Sequence, residues 1–191
     1  MKMNGVLQIA LPVLFLIACG NSEQQTEALS LNTSPEETLP PEPLVYYYFV
    51  DSPDTDLPAG SVVILPDILA LAPAESDVSP ASDPGIDLSS SLQAMIDDTR
   101  NQWTSENLEV TSISYDQGSV SVALDGEIEA AGDIVLVAFR MQVLLTVFAN
   151  TSVDSAIVTL NGECIGNLGI SHESEARPPS FAFTRADIES W

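Results

Sequence analysis

Beyond its second residue the sequence has no lysine, and its only other cations are Arg100, Arg140, Arg177 and Arg185. Binding a phosphate backbone requires clustered Lys and Arg. The scarcity therefore excludes nucleic acid as a partner, and it excludes an electrostatic grip on anionic lipid headgroups. Histidine occurs once, as His172 in the polar stretch "SHESEA", where solvent exposure is expected. Nucleophilic catalysis needs a positioned base beside a serine or cysteine, and this chain offers little material for one. There is no Gly-x-Ser-x-Gly elbow. The glycines of "GECIGNLG" lie in a hairpin pattern rather than before a helix, so they make no phosphate loop. No catalytic residue is assigned, no cofactor is implied, and the sequence points away from an enzyme.

What the chain has in excess is acid. Asp and Glu number 28, and the net charge is −23 at pH 7. With the first 18 residues set aside, the same acids face four arginines, a balance of −24. Such a surface attracts cations or suits a saline habitat, or it simply keeps the protein solvated and self-repelling. A calcium loop wants acids at alternate positions with glycine at the sixth. "DSPDTDLPAG" spaces Asp51, Asp54 and Asp56 by three and then two, with Asp56 itself at the sixth place. An acidic turn without metal is the expectation. Asp97 and Asp98 are expected on the exposed face of a helix, keeping it soluble.

Long apolar runs are short of what a membrane requires. A span needs about 20 apolar residues, and Val6–Ile17, interrupted by Gln8 and Pro12, ends before Gly20-Asn21-Ser22-Glu23. The run follows Lys2 and has the length of a signal-peptide core. It closes as Leu16-Ile17-Ala18-Cys19, which resembles the bacterial lipobox. In that motif the cysteine thiol takes a diacylglyceryl group and the peptide is cut just before it. An ordinary signal peptide with an incidental Cys19 is the alternative. Residues 1–18 are read as a lipoprotein signal peptide and Cys19 as the lipidated first residue. One acyl chain binds a membrane marginally and two hold firmly, at about 0.8 kcal/mol per buried methylene. The expected place is thus the extracytoplasmic face of a bacterial cell membrane. If Cys19 carries lipid, Cys164 has no disulfide partner and is expected as a buried thiol.

Residues 19–43 continue with "GNSEQQTEALSLNTSPEETLPPEP", which has no aromatic residue and few large apolar ones. Composition of this kind predicts a disordered polar tether. A folded domain is expected over 44–191. Leu44–Val50 reads as an interior strand, Ser61–Leu65 as a second, and Asp67–Ala72 as a short helical turn. Pro73–Gly85 reads as a loop. Leu88, Leu92, Met95, Ile96, Thr99 and Trp103 share one face of a helix over Asp87–Trp103, with Asp87 or Ser89 as N-cap. Leu108–Tyr115 and Ser119–Asp125 form a hairpin turning at Asp116-Gln117-Gly118. Gly132–Asn150 is a second helix with Asp133 as N-cap, apolar almost all round except at Arg140 and Gln142. A buried core helix fits it better than a span. Ser155–Leu160 and Glu163–Leu168 flank Asn161-Gly162, a strong hairpin signal. The tail His172–Trp191 is expected to be irregular, with Phe181 and Phe183 laid against the sheet. The sum is an α+β fold, a single sheet of five to six strands with two helices on one face.

A helix, then "SISYDQGSVSVALDGEI", then a long apolar helix running into "QVLLTVFANTSVDSAIVTLNGE" resembles the GerMN domain. That domain occurs in the sporulation and spore-germination protein GerM and in bacterial envelope lipoproteins. The matching features are the turn at Gly118 resuming as Val120-x-Val122-x-Leu124, the segment Leu145-Thr146-Val147-Phe148, and the turn at Asn161-Gly162. The long Pro73–Gly85 insert and Thr146-Val147, where the family favours Thr-Leu, depart from the pattern. The resemblance implies a non-enzymatic module, similar to ring-building units, that binds envelope partner proteins or assembles with itself. The alternative is an envelope carbohydrate-active enzyme or a peptidoglycan-binding protein. It would use surface carboxylates, since glycosidases need only two carboxyl groups, and Tyr46-Tyr47-Tyr48 as a sugar-stacking face. Core packing is the competing role for those tyrosines.

Overall fold

The computed structural model describes residues 41–51, 53, 56–169 and 176–189. Two sheets, not one, form the β part. The first has three antiparallel strands: β1 (Val45–Asp51), β2 (Val62–Leu65) and β3 (Leu69–Glu75), with β3 in the middle. Of the predicted helical turn over Asp67–Ala72, only Asp67 and Ile68 lie in a turn, between β2 and β3, and Leu69–Ala72 are the start of β3. Its residues 69–72 are buried, and a continuous apolar run suits a strand covered on both faces. Pro73 is tolerated because β2 reaches only Leu71, so β3 has a single neighbour there.

The helix α1 runs Pro84–Ile96, with Asp83 as N-cap accepting the Gly85 N–H at 2.8 Å. It thus starts and stops earlier than its apolar spacing predicts. Pro84 at the first helical position, where its missing N–H costs nothing, favours this start. The end is set by Asn101, whose Nδ2 donates to the carbonyls of Met95 and Ile96 at 2.9 and 3.3 Å. Leu88, Leu92 and Met95 fill the core as expected, but Thr99 lies beyond the helix and Trp103 opens the next strand.

The second sheet is built on β4 (Trp103–Asp116), β5 (Ser119–Ala130), β6 (Ser155–Leu160), β7 (Glu163–Cys164) and β8 (Ala182–Thr184). β4 and β5 form an antiparallel hairpin whose turn residues Gln117 and Gly118 both have positive φ. β5 then pairs with β6 in parallel, and α2 (Asp133–Ala149) is the crossover between them. Asn161 and Gly162 make the predicted turn with φ of 53° and 79°, but β7 is only two residues long. A 3-10 turn over Ile165–Asn167 replaces the rest of the expected strand. The tail is more regular than predicted. β8 pairs with β6, Phe183 is fully buried in the core, and the short α3 (Arg185–Glu189) follows. Phe181 meets Phe183 edge to face, with centroids 4.9 Å apart.

One detail explains why β1 stays out of the second sheet. Its outer edge is occupied by two side chains of α2 and that of its C-cap, spaced four residues apart. Gln142 Nε2 donates to the Tyr47 carbonyl at 2.8 Å, Thr146 Oγ1 accepts the Tyr47 N–H at 3.2 Å, and Asn150 Oδ1 accepts the Val45 N–H at 2.9 Å. Asn150 Nδ2 also donates to the Val45 carbonyl at 2.5 Å. Three side chains thus do what a neighbouring strand would. In the sequence Gln142 reads only as a polar interruption of an apolar helix, Thr146 as part of its apolar run and Asn150 as its end.

Candidate functional site

The four arginines settle into the fold. Arg100 donates from Nε and Nη2 to both carboxylate oxygens of Asp98 and lies over the Tyr48 ring, 3.4 Å from its centroid. Arg140, 9% exposed in the middle of α2, donates to the Gly166 carbonyl at 2.8 Å. Burial lowers its pKa, and the nearby Arg177 lowers it further. Arg177 donates to the same carbonyl at 3.3 Å, and Arg185 donates to the Thr151 carbonyl at 2.5 Å.

Asp98 is not a solubilising residue of a helix face. It lies past the end of α1, and its side chain is only 5% exposed. Asp97 does remain exposed, accepting from Gln93 Nε2 at 2.9 Å. Burial pushes the Asp98 carboxyl up, but hydrogen bonds and charge from Arg100 more than offset this and hold it below the usual range. A carboxyl depressed in the folded state stabilises above its unfolded pKa of about 3.9, and that stabilisation disappears as pH falls through the folded value. In urea titrations Asp98→Asn should therefore be less stable than the parent by about 1 kcal/mol at pH 7, a size limited by the solvent around Arg100. The gap should close below about pH 4. A gap independent of pH would refute this role.

The three tyrosines, for which a sugar-stacking face is the alternative to core packing, are half-buried and engaged within the protein, Tyr46 and Tyr47 against the core. Arg100 covers the Tyr48 ring and donates to Tyr46 Oη at 3.3 Å, and Tyr47 Oη donates to the Gly60 carbonyl at 3.4 Å. Cys164 is a free, buried thiol. Asp51 accepts from Gln102 Nε2. Cys19, Asp54 and His172 lie outside the described residues. Among the described residues no three His, Cys, Asp or Glu side chains converge as metal ligands. A cleft of about 360 Å³ between the entering segment, Pro80, Pro84 and the end of α2 includes Glu42 and Asp87. Asp87 Oδ1 there accepts the Ala81 N–H at 2.5 Å.

The distinctive exposed surface is the outer face of the β4–β5 hairpin. Val120, Val122 and Leu124 point into the core, so the intervening residues of β5 point out. Two bulges in β4, one around Asn107 and Leu108 and one at Thr111, reset its register. As a result Glu106 lies directly opposite Glu127, and Glu109 directly opposite Asp125. Glu129 is next on the same face, opposite Thr104. All five carboxylate residues are exposed. Like charges placed directly opposite each other destabilise a sheet.

Beyond Leu124 the hairpin leaves β6 behind, and Asn161 takes over. Its backbone N–H reaches the Leu124 carbonyl at 2.9 Å, and its side chain brackets Gly126 N–H and carbonyl at 3.0 and 2.9 Å. The acidic face therefore continues onto a two-stranded ribbon. Sequence reasoning missed this surface, although Asp125, Glu127 and Glu129 at alternate positions carry a signal for it. Comparison with models of protein families, with curated proteins and with solved structures finds no match for this chain.

Proposed function

We propose that this chain is a lipid-anchored protein of the bacterial cell envelope, whose folded part is a non-catalytic GerMN-like module that binds partner proteins or assembles. The anchor rests on the order Leu16-Ile17-Ala18-Cys19 behind a short apolar core. The observation that carries the binding role is the outer face of the β4–β5 hairpin, where Glu106 faces Glu127 and Glu109 faces Asp125. Each like-charge pair costs roughly 0.2–1 kcal/mol of stability, and the described arginines are bonded elsewhere in the fold. A surface that works against folding is best explained by a use outside the fold.

Cells expressing the full chain and fed labelled palmitate should yield labelled protein in the membrane fraction, and Cys19→Ala should abolish the label. Crosslinking in the same cells should give species of higher mass. Unlabelled protein in the soluble fraction removes the anchor, and monomer alone at every crosslinker concentration removes the assembly.

A further inference from the structure

β4 is the last strand of its sheet. Among the described residues nothing pairs with its second edge. An unpaired edge presents alternate backbone N–H and C=O groups to any extended chain that approaches. The two bulges divide this edge, and the regular part is Ser112–Asp116, which pairs residue for residue with β5 on its other side.

Beside that stretch lies a groove of about 340 Å³ between the start of α1 and β4. Ile86, Val110 and Ile113 line it. Ile86 is 56% exposed and Tyr115, whose hydroxyl donates to the Pro84 carbonyl at 3.1 Å, is 40% exposed. Asp83 lines the groove as well, and Asp83 and Asp87 both act on Tyr115 electrostatically. Asp116 ends the strand, and Glu109 lies just before the second bulge. Three apolar side chains set among Ser89, Thr111 and Ser112, an open edge and a negative rim thus coincide.

We propose that Ser112–Asp116 receives an extended segment of another protein in which apolar residues alternate with Lys or Arg. This rests on the binding role above and specifies its partner. Strand addition gives backbone hydrogen bonds as affinity and alternate side chains as specificity. Side chains on the inner face of the added strand would enter the groove beside Ile86 and Ile113. Those on the outer face would lie beside Ser112, Ser114 and Asp116, with Glu109 beyond the bulge at one end of the stretch. A second copy of this chain is a poor occupant, because it brings the same acids. Its cations are Lys2 and four arginines that already hold carbonyls or a carboxylate.

The test uses the full chain and three synthetic decapeptides: alternating Lys-Val, alternating Lys-Gly and alternating Glu-Val. Alternating Lys-Val should bind at 0.15 M salt, at least tenfold tighter than the other two, and slow hydrogen exchange at residues 112–116. Ile86→Ser, a change at an exposed position, should weaken it at least fivefold without altering the unfolding midpoint. Asp116→Asn should reduce the salt dependence. Equal binding of the Lys-Gly peptide, or no protection of β4, shows a diffuse polyelectrolyte effect and overturns the proposal. So does an absence of binding. Either result leaves the palmitate label and the crosslinks of the parent reading untouched, so the two fail separately.

Discussion

Gln142→Leu is expected to destabilise the fold by about 3 kcal/mol, because it strands buried polar partners that cost about 1–3 kcal/mol each. Apolar patterning gives the opposite expectation, since Leu would complete the hydrophobic surface of α2. Gln142 is fully buried, and each of its polar atoms is used. Oε1 accepts the Trp103 indole N–H at 3.1 Å. Nε2 donates to the Tyr47 carbonyl and to Asn101 Oδ1, both at 2.8 Å. One residue therefore ties together β1, the segment that ends α1, and the first residue of β4. Leucine satisfies none of these groups. For a domain of this size the loss should lower the melting temperature by roughly 10 °C. A variant that melts at or above the parent temperature would show that these groups find other partners at no cost.

Gly126→Ala should be comparably damaging, at roughly 2–4 kcal/mol from a disfavoured backbone conformation and displaced neighbours. Gly126 has φ of 133°, a region that residues with a side chain rarely enter. A Cβ there would lie 2.6 Å from the Asn107 carbonyl oxygen and 2.6 Å from Leu108 Cα. Both are backbone atoms of the β4 bulge and cannot swing aside as a side chain would. The substitution should also disturb the Asn161 bracket and the register that sets Glu109 opposite Asp125. Denaturant unfolding measures the cost, and amide exchange along β4 reports the register. An unchanged midpoint would mean that the bulge relaxes freely.

Where the sequence was informative, the chemistry was local. Ser155–Leu160 is a strand to the residue, and the turns at Gly118 and Asn161-Gly162 fall as expected, because positive φ demands particular residues. The long apolar helix is α2 within a residue at each end. The misreadings arose where distant residues decide. Trp103 falls on the helical repeat of Leu88 and Met95, but Asn101 ends the helix before that repeat can continue. Leu69–Ala72 carries no alternation because both its faces are covered, so a strand looked like a helical turn. The second sheet was hidden for a similar reason. Nothing near Val45–Asp51 says that its free edge will meet side chains about a hundred residues later. The acidic surface was visible as composition and partly as alternation. Its like-charge pairing was not, because it depends on two bulges that only the β4–β5 register reveals.

The side-chain ladder on β1 also bears on the protein before it is folded. "VYYYFV" has six aromatic or branched residues, no charge and no proline, the composition of segments that stack into cross-β fibrils. In the native state one edge of this strand is sealed by β3 and the other by Gln142, Thr146 and Asn150. During synthesis the strand leaves the ribosome about a hundred residues before its seal does, a wait of roughly 5–20 seconds at typical elongation rates. The ladder is therefore a guard against self-association that arrives late. Loosening it puts an amyloid-like edge into solution, where the danger is aggregation as much as lost stability.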